Sequence, residues 1–250
     1  MTLNICIFSG GFDSALVLSQ IFEKINKETP DERLLIVSVI PNYSGKKKDR
    51  EKAARENIIE YLSNTYDRVE YEISTIEIKY SGGIHRPKMN RKLIQPITWL
   101  DGLMSSNIFN YNNLDTIKIQ MSYIKDDCAV VDRRDIENII QSSFNIMWVE
   151  NVKPSVQVLF PLAYHSKYEV IEKLIIDYPE LYNNATTCED GFHDSDNCGR
   201  CHPCTELKWA LTKIAITSNL PNARDFANKE LQRRFHQLIT ITSFGDKDDI

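Results

Sequence analysis

Six residues near the start of the chain have the types and spacing of a phosphate-binding loop. Residues Ser9 to Ser14 read SGGFDS and lie between an apolar run and a segment with helical periodicity. A strand that turns sharply into a helix collects unpaired backbone N–H groups at the positive end of the helix dipole, and such a point binds phosphate. Because no lysine follows the glycines, this is not a Walker A loop. We call Ser9 to Ser14 the phosphate loop.

A second chemical pattern is a set of four cysteines with the spacing C-x9-C-x2-C-x2-C. The two-residue gaps let consecutive thiolates converge on one ion, and the nine-residue loop brings the first cysteine round to complete a tetrahedron. Four sulfur ligands leave no open position, so a zinc ion here would be structural. An iron–sulfur cluster and a redox Cys-x-x-Cys pair are the alternatives. The residues of this four-cysteine cluster are Cys188, Cys198, Cys201 and Cys204.

Composition limits the kind of partner that the chain can take. With 250 residues, 42% of them hydrophobic, it is long enough for one sizeable core and an appendage. Its net charge of −5 argues against a nucleic-acid partner, so we expect a small-molecule substrate. No apolar run is long enough to span a membrane, and we expect a cytoplasmic location. In that compartment, clustered cysteines bind metal more often than they form disulfides.

The segments between the two motifs alternate between strand and helix patterns. This alternation predicts an α/β fold with a doubly wound parallel sheet of five strands and helices on both faces. The third strand alternates polar and apolar residues, which is typical of a strand at a sheet edge. The predicted strands cover residues 3–8, 33–40, 68–78, 116–124 and 156–162.

Two charged residues occupy positions from which they can reach a ligand. Asp127 follows the fourth predicted strand, and the carboxyl ends of strands form the ligand crevice in open α/β sheets. An acid there can hold Mg²⁺ or a substrate amine. Lys167 begins a predicted helix over residues 166–176 and can neutralise charge on a phosphate or a carboxylate. The alternative for Lys167 is an exposed lysine at a helix N-terminus.

The phosphate loop resembles the pyrophosphate loop of the N-type ATP pyrophosphatases, which include NAD synthetase, GMP synthetase and tRNA thiolases. That resemblance implies that ATP is cleaved between its α and β phosphates, and that AMP passes to a carboxylate or carbonyl oxygen. It also implies that pyrophosphate is held by Ser9, Gly10, Gly11, Asp13 and Ser14, with Asp13 also holding Mg²⁺.

A phosphate loop at the N-terminus together with four cysteines near the C-terminus resembles the 7-cyano-7-deazaguanine synthase family. Further similar segments lie in register between the two motifs, and the resemblance spans residues 5 to about 210. These segments are Asp127-Cys128, Phe160-Pro161-Leu162, Ser166 to Ile171, Thr187-Cys188 and Cys198-Gly199-Arg200-Cys201 up to Cys204.

The resemblance implies a fold similar to the PP-loop and adenine nucleotide α-hydrolase proteins. Residues 1–180 would form the ATP-binding domain, and residues 181–250 a zinc-binding loop with C-terminal helices packed on it. The implied reaction adenylates 7-carboxy-7-deazaguanine, displaces AMP with ammonia to give an amide, and dehydrates that amide to the nitrile with a second ATP. It would use ATP, Mg²⁺ and Zn²⁺, take place in a homodimer, and depend on Asp13, Lys167 and Asp127 as catalytic residues.

Two segments depart from the family pattern. Where the family carries Pro-x-Arg-Asn, this chain reads Leu93 to Trp99 as LIQPITW, and Ile124-Lys125-Asp126 replaces a Gly-Tyr-Pro. Both segments belong to the family's nucleotide and substrate pocket. The departures suggest a divergent member acting on a modified substrate, similar to relatives in phages or antiviral defence. Such a member would join the deazapurine to an amine of a partner protein instead of to ammonia.

Two other functions remain open from the sequence. A PP-loop tRNA-modifying enzyme would need a thiolate near the phosphate loop or an RNA-binding face. Cys128 and the lysines at 46–48 are its support, whereas the net acidity counts against it. A nucleotide-binding regulator without turnover is permitted by the altered pocket segments, but the intact phosphate loop argues against it.

Overall fold

The computed structural model describes residues 1–41, 46–78, 94–125, 127, 133–148, 153–189 and 198–235. Strands and helices alternate through the first two thirds of the chain, and helices follow. The strands are β1 Thr2–Ile7, β2 Arg33–Pro41, β3 Tyr71–Ile78, β4 Thr116–Gln120 and β5 Ser155–Leu159. The helices are α1 Phe12–Lys27, α2 Lys46–Thr65, α3 Ile94–Ser105, α4 Arg133–Met147, α5 Lys167–Asp177, α6 Pro179–Asn184, α7 His202–Thr217 and α8 Pro221–Phe235, with a short 3-10 helix at Asn107–Asn110.

The five strands form one parallel sheet in the order β3-β2-β1-β4-β5. The predicted α/β fold with five parallel strands is therefore confirmed, and β3 lies at an edge as its pattern indicated. The strand order reverses at β1, which has β2 on one side and β4 on the other. A ligand crevice is expected where strand order reverses, beyond the carboxyl ends of β1 and β4.

Helices cover both faces of the sheet, each over its own hydrophobic cluster. One cluster joins the sheet to α1, α2 and the helices from α5 onward, and contains Phe22, Leu62 and Leu174. The cluster on the other face joins it to α3 and α4 through Leu103 and Ile140. The strands that are covered on both sides read as continuous apolar runs for this reason.

The C-terminal helices share the core of the sheet. Leu207 and Leu231, from α7 and α8, belong to the same cluster as Phe12 of α1. Tyr182 of α6 stacks on Phe12 with ring centroids 5.1 Å apart and meets Phe226 of α8 edge-on at 5.2 Å. The predicted helical appendage is present, and a domain boundary at residue 180 stays a prediction.

The fourth and fifth strands end earlier than their sequence patterns predict. Strand β4 was expected to reach residue 124 and ends at Gln120, and β5 ends at Leu159. The apolar residues Tyr123 and Ile124 are buried in the segment after the strand, not in the ladder. Burial without pairing produces the same apolar run as a strand, so the pattern alone placed the boundary wrongly.

Several residues on which sequence-based interpretations rested lie outside the described residues. They are Leu93, Asp126 and Cys128. Within the described part of the chain, every helix is too short or too polar to cross a membrane.

Gly102 provides a test of how tightly α3 packs on the sheet. A Cβ at this position would stand 2.1 Å from Cγ2 of Val39 on β2. We expect Gly102→Ala to lower the free energy of unfolding by about 1–3 kcal/mol through overpacking, although alanine favours a helix over glycine by about 1 kcal/mol. Urea denaturation measures the change.

The control is Val39→Ala in the Gly102→Ala background, which removes the clashing methyl groups. We expect this second change to recover part of the lost stability. A Gly102→Ala protein as stable as the unchanged chain would contradict the packing described here.

Candidate active site

The phosphate loop makes its turn between β1 and α1 with a backbone that requires glycine. Gly10 has φ +87°, a left-handed conformation that residues with a side chain rarely adopt. A Cβ there would also stand 3.1 Å from Cγ of Arg55 and 3.3 Å from the carbonyl oxygen of Glu51, both on α2. The loop is therefore fixed both by its own conformation and by the helix beside it.

Hydroxyl groups hold the phosphate loop around the N-terminus of α1. Ser14 Oγ donates a hydrogen bond to the Gly11 carbonyl at 3.0 Å and lies 3.0 Å from Ser9 Oγ. The backbone N–H groups of Ser9 and Gly11 donate to Ser14 Oγ and Ser9 Oγ, each at 3.3 Å. These serines and glycines lie together at a helix N-terminus, which is the arrangement that binds phosphate.

Asp13, in the first turn of α1, forms an ion pair with Lys167. The lysine Nζ donates a hydrogen bond to Asp13 Oδ2 at 2.7 Å. The ion pair thus joins two residues that are 154 positions apart in the sequence. Lys167 is only 6% exposed, so the alternative of a surface lysine is wrong. Burial alone would lower the pKa of Lys167, but the charge and the hydrogen bond of Asp13 outweigh it and raise the pKa above its usual range. Lys167 is therefore a cation at neutral pH.

A capping box places Lys167 at the first position of α5. The backbone N–H and Oγ of Ser166 contact Glu169 Oε2 at 2.7 and 2.6 Å, which closes the reciprocal cap. The backbone carbonyl oxygen of the preceding residue, His165, accepts a hydrogen bond from the N–H of Lys125 at 2.9 Å. The start of α5 is thereby tied to the segment after β4, so Lys167 and Asp127 share one region.

The Asp127 carboxylate lies beside the Asp13–Lys167 pair. Its Oδ2 accepts a hydrogen bond from the N–H of Ile124 at 2.8 Å. Burial raises the pKa of Asp127 to about 6, with repulsion from Asp13 adding to the rise while the Ile124 N–H and Lys167 oppose it. A carboxylate with this pKa can exchange a proton near neutral pH.

The phosphate loop, with Asp13, and Asp127 line one cavity of about 150 Å³ at the carboxyl ends of β1 and β4, and Lys167 lies behind Asp13. Two aromatic side chains, Trp99 of α3 and Tyr123 after β4, were not predicted from the sequence to line it. Their flat rings can pack against a planar ligand. The lining residues are Ile7, Ser9, Gly11, Asp13, Ser14, Trp99, Met121, Ser122, Tyr123 and Asp127.

Arg55 of α2 is a second feature that was not predicted from the sequence. Its side chain is buried, and Nη1 donates to the Ser9 carbonyl at 3.3 Å while lying 3.8 Å from Glu51 Oε2. A buried positive charge against the phosphate loop favours an anion in it. Ala54 and Ile58 indicate a buried face on this otherwise charged helix, but they do not indicate that Arg55 reaches the phosphate loop.

The structure brings together all four residues of the four-cysteine cluster. Their sulfur atoms lie within 4.8 Å of one another, and Cys198 Sγ is 4.0 Å from Cys204 Sγ. Four thiolates on one zinc ion are about 3.8 Å apart, given a Zn–S bond of about 2.3 Å in a tetrahedron. A four-iron cluster places iron and sulfide between its thiolates and so separates them further. The spacing therefore fits a single ion.

Backbone N–H groups stabilise the thiolate form of Cys198 in this cluster, whereas burial raises the pKa of Cys204. Cys198 N–H donates to Cys188 Sγ, and Cys201 N–H donates to Cys198 Sγ, each at 3.3 Å. Burial opposes ionisation of Cys198, but the N–H groups of Arg200 and Cys201 outweigh it and lower the pKa to about 7. A thiolate is the form that binds metal.

The family model described as Queuosine biosynthesis protein QueC matches residues 3–215. The chain belongs to the QueC family. The QueC family is a group of ATP-dependent PP-loop enzymes linked to queuosine biosynthesis. The QueC match includes the phosphate loop, Asp127, Lys167 and the whole four-cysteine cluster.

Two other comparisons accompany the QueC match. No curated protein matches the chain. One similar solved structure is the U34-tRNA thiolase NcsA from Methanococcus maripaludis with its 4Fe–4S cluster. It has a TM-score of 0.45 and 15% sequence identity, and the similarity covers 98% of this chain and 76% of that one.

Asp127 offers a test of the electrostatics of this QueC-family site through stability. Because its pKa is raised to about 6, the folded state binds a proton that the unfolded state releases from about pH 4 upward. Stability therefore falls as the pH rises through this window. We expect Asp127→Asn to raise the free energy of unfolding by about 1–2 kcal/mol at pH 8, and to change it little at pH 4.

Urea denaturation at both pH values measures this effect. The control is Asp135→Asn, which removes an exposed carboxylate in the first turn of α4. An equal effect of Asp127→Asn at pH 4 and pH 8 would show that the carboxylate is not destabilised by its surroundings.

Arg55 can be tested by its effect on anion binding. We expect Arg55→Met to weaken ATP binding about ten-fold, because a charge several ångströms away contributes about 1–2 kcal/mol at an effective dielectric of about 20. Isothermal titration calorimetry measures the affinity. Arg68→Met, which removes an exposed arginine, is the control and should leave ATP binding unchanged.

Proposed function

We propose that this chain uses ATP to convert the carboxylate of 7-carboxy-7-deazaguanine, with ammonia, into the amide and then the nitrile, 7-cyano-7-deazaguanine. The observation that carries the proposal is the ion pair between Asp13 and the buried Lys167 beside the phosphate loop, with Asp13 and Asp127 both lining the cavity. Lys167 supplies a cation behind Asp13, while Asp13 supplies a free carboxylate oxygen and Asp127 a proton acceptor at the cavity.

The proposed chemistry needs ATP because oxide is a poor leaving group from a carboxylate. A carboxylate oxygen attacks the α-phosphorus of ATP, and pyrophosphate leaves. Ammonia then attacks the acyl carbon, and AMP leaves with the carboxylate oxygen to give the amide. A second ATP activates the amide oxygen in the same way. Loss of AMP and the remaining N–H protons gives the nitrile.

The phosphate loop and the ion pair would hold the leaving group and the reacting phosphate. The N–H groups in the first turn of α1 would donate to the pyrophosphate, and the Ser9, Gly11 and Ser14 donors would join them by exchanging their hydrogen bonds within the loop. Lys167 would neutralise charge on the α-phosphate. Oδ1 of Asp13 is buried and has no hydrogen-bond partner among the described residues, which fits a carboxylate that holds Mg²⁺. When bound, Mg²⁺ neutralises charge on the departing pyrophosphate.

Asp127 is the proposed general base for the attacking ammonia. With a pKa of about 6 it is ionised at neutral pH, yet basic enough to accept a proton as the C–N bond forms. The aromatic rings of Trp99 and Tyr123 are the proposed walls for the planar deazapurine.

The four-cysteine cluster is proposed to hold one zinc ion. Its sulfur spacing fits a tetrahedral site, and its donor set of four thiolates leaves no position for a substrate. The zinc would therefore stabilise the fold and take no part in the reaction.

Mass spectrometry of the products tests the proposal. Purified protein is incubated with ATP, ammonium and 7-carboxy-7-deazaguanine, and we expect the amide and then the nitrile, with AMP and pyrophosphate released in step. Lys167→Met should lower the rate at least 100-fold, because the α-phosphate loses its neutralising charge.

The matched control is Lys173→Met, which removes a partly exposed lysine that pairs with Asp177 in the same helix and should leave the rate unchanged. Pyrophosphate release that depends on tRNA and not on the acid would favour a tRNA-modifying enzyme. No release with either substrate would favour a regulator without turnover.

A further inference from the structure

We propose that a metal bound by the four-cysteine cluster positions the phosphate loop through the backbone of Thr186, so that metal binding and nucleotide binding strengthen each other. The inference rests on the proposed function in two respects, namely that the phosphate loop binds ATP and that the four-cysteine cluster binds zinc. It assigns Thr186 as a positioning residue, not a catalytic one.

The contact between the two motifs is a backbone hydrogen bond. The N–H of Thr186 donates to the carbonyl oxygen of Gly10 at 3.1 Å. The Thr186 carbonyl oxygen lies 3.5 Å from the point where a Cβ on Gly11 would stand. Both glycines of the phosphate loop are therefore touched by one residue of a distant segment, while Arg55 contacts Gly10 from α2.

The segment that carries Thr186 begins at Ala185, which is buried in the hydrophobic cluster shared by α1 and the C-terminal helices. Residues 185–189 form neither helix nor strand, and they follow the C-terminus of α6, where the N–H of Ala185 donates to the Leu181 carbonyl at 2.9 Å. Cys188 lies two residues beyond Thr186 and is buried within the four-cysteine cluster. The segment is thus held at Gly10 on one side and by the cysteine cluster on the other.

Metal binding would fix the second of these anchors. A metal–thiolate bond is far stronger than a single backbone hydrogen bond, so a bound ion holds Cys188 in place and keeps Thr186 against Gly10. Without the ion, the segment must be ordered when the nucleotide binds, and that ordering weakens binding. The two affinities are then linked, and each ligand strengthens the other by the same factor.

Only the backbone N–H of Thr186 is needed for this role. Its hydroxyl is buried without a hydrogen-bond partner among the described residues, so the side chain does not hold the contact. Thr186→Val keeps the N–H and the branched shape, whereas Thr186→Pro removes the N–H. Ala185 has φ −74° and ψ 142°, the region that a residue before proline prefers. The proline is therefore compatible with the preceding backbone.

The experiment compares ATP affinity with and without metal in three proteins: the unchanged chain, Thr186→Val and Thr186→Pro. Calorimetry measures ATP binding before and after zinc is removed with a chelator, and circular dichroism checks that each protein remains folded. We expect zinc removal to weaken ATP binding about ten-fold in the first two proteins. In Thr186→Pro, binding should already be weak and should not respond to zinc.

The reciprocal measurement starts from zinc-loaded protein. Zinc affinity is measured by competition with a chromophoric chelator, and saturating ATP should raise it by the same factor, except in Thr186→Pro. Equal ATP affinity in folded protein with and without zinc, or a zinc affinity that ATP leaves unchanged, would overturn the inference alone. A zinc-loaded chain that binds no ATP would overturn the proposed function as well.

Discussion

The buried ion pair between Asp13 and Lys167 is the interaction on which the rest of the site depends. Removing two charges from water is costly, and a buried pair is often no more stabilising than apolar residues of the same size. Its presence is therefore better explained by chemistry than by stability. It fixes α5 against α1 and sets a cation next to the phosphate loop, while the second oxygen of Asp13 stays free of protein partners in the described chain.

The order of the strands explains how residues far apart in the chain reach this pair. Because β1 lies between β2 and β4, the loop after β1 and the segment after β4 emerge side by side. Asp127 thereby reaches the phosphate loop, and the capping box at Ser166 directs Lys167 to the same point. Each contribution is local in sequence, but the site exists only because the strand order reverses at β1, in the centre of the sheet.

The sequence predicted those features that depend on local patterns. The phosphate loop, the five strands and the four cysteines each have a spacing that reports directly on geometry. Arg55 and Trp99 have no such pattern, since their exposure depends on how α2 and α3 are rotated against the sheet. The burial of Lys167 was undecided for the same reason, because α5 is covered by α7, far along the chain. The end of β4 was placed wrongly because Tyr123 and Ile124 are buried after the strand has ended, so their apolar character reports burial and not strand pairing.

The ring of Tyr182 lies between Phe12 at the start of α1 and Phe226 in α8. Contacts of such large sequence separation are slow to form and cannot form before both partners exist. During synthesis on the ribosome, Phe12 emerges long before Tyr182, and Tyr182 before Phe226. The residue that follows Gly11 is thus fully packed only after α8 has been made, and the phosphate loop acquires its complete support late.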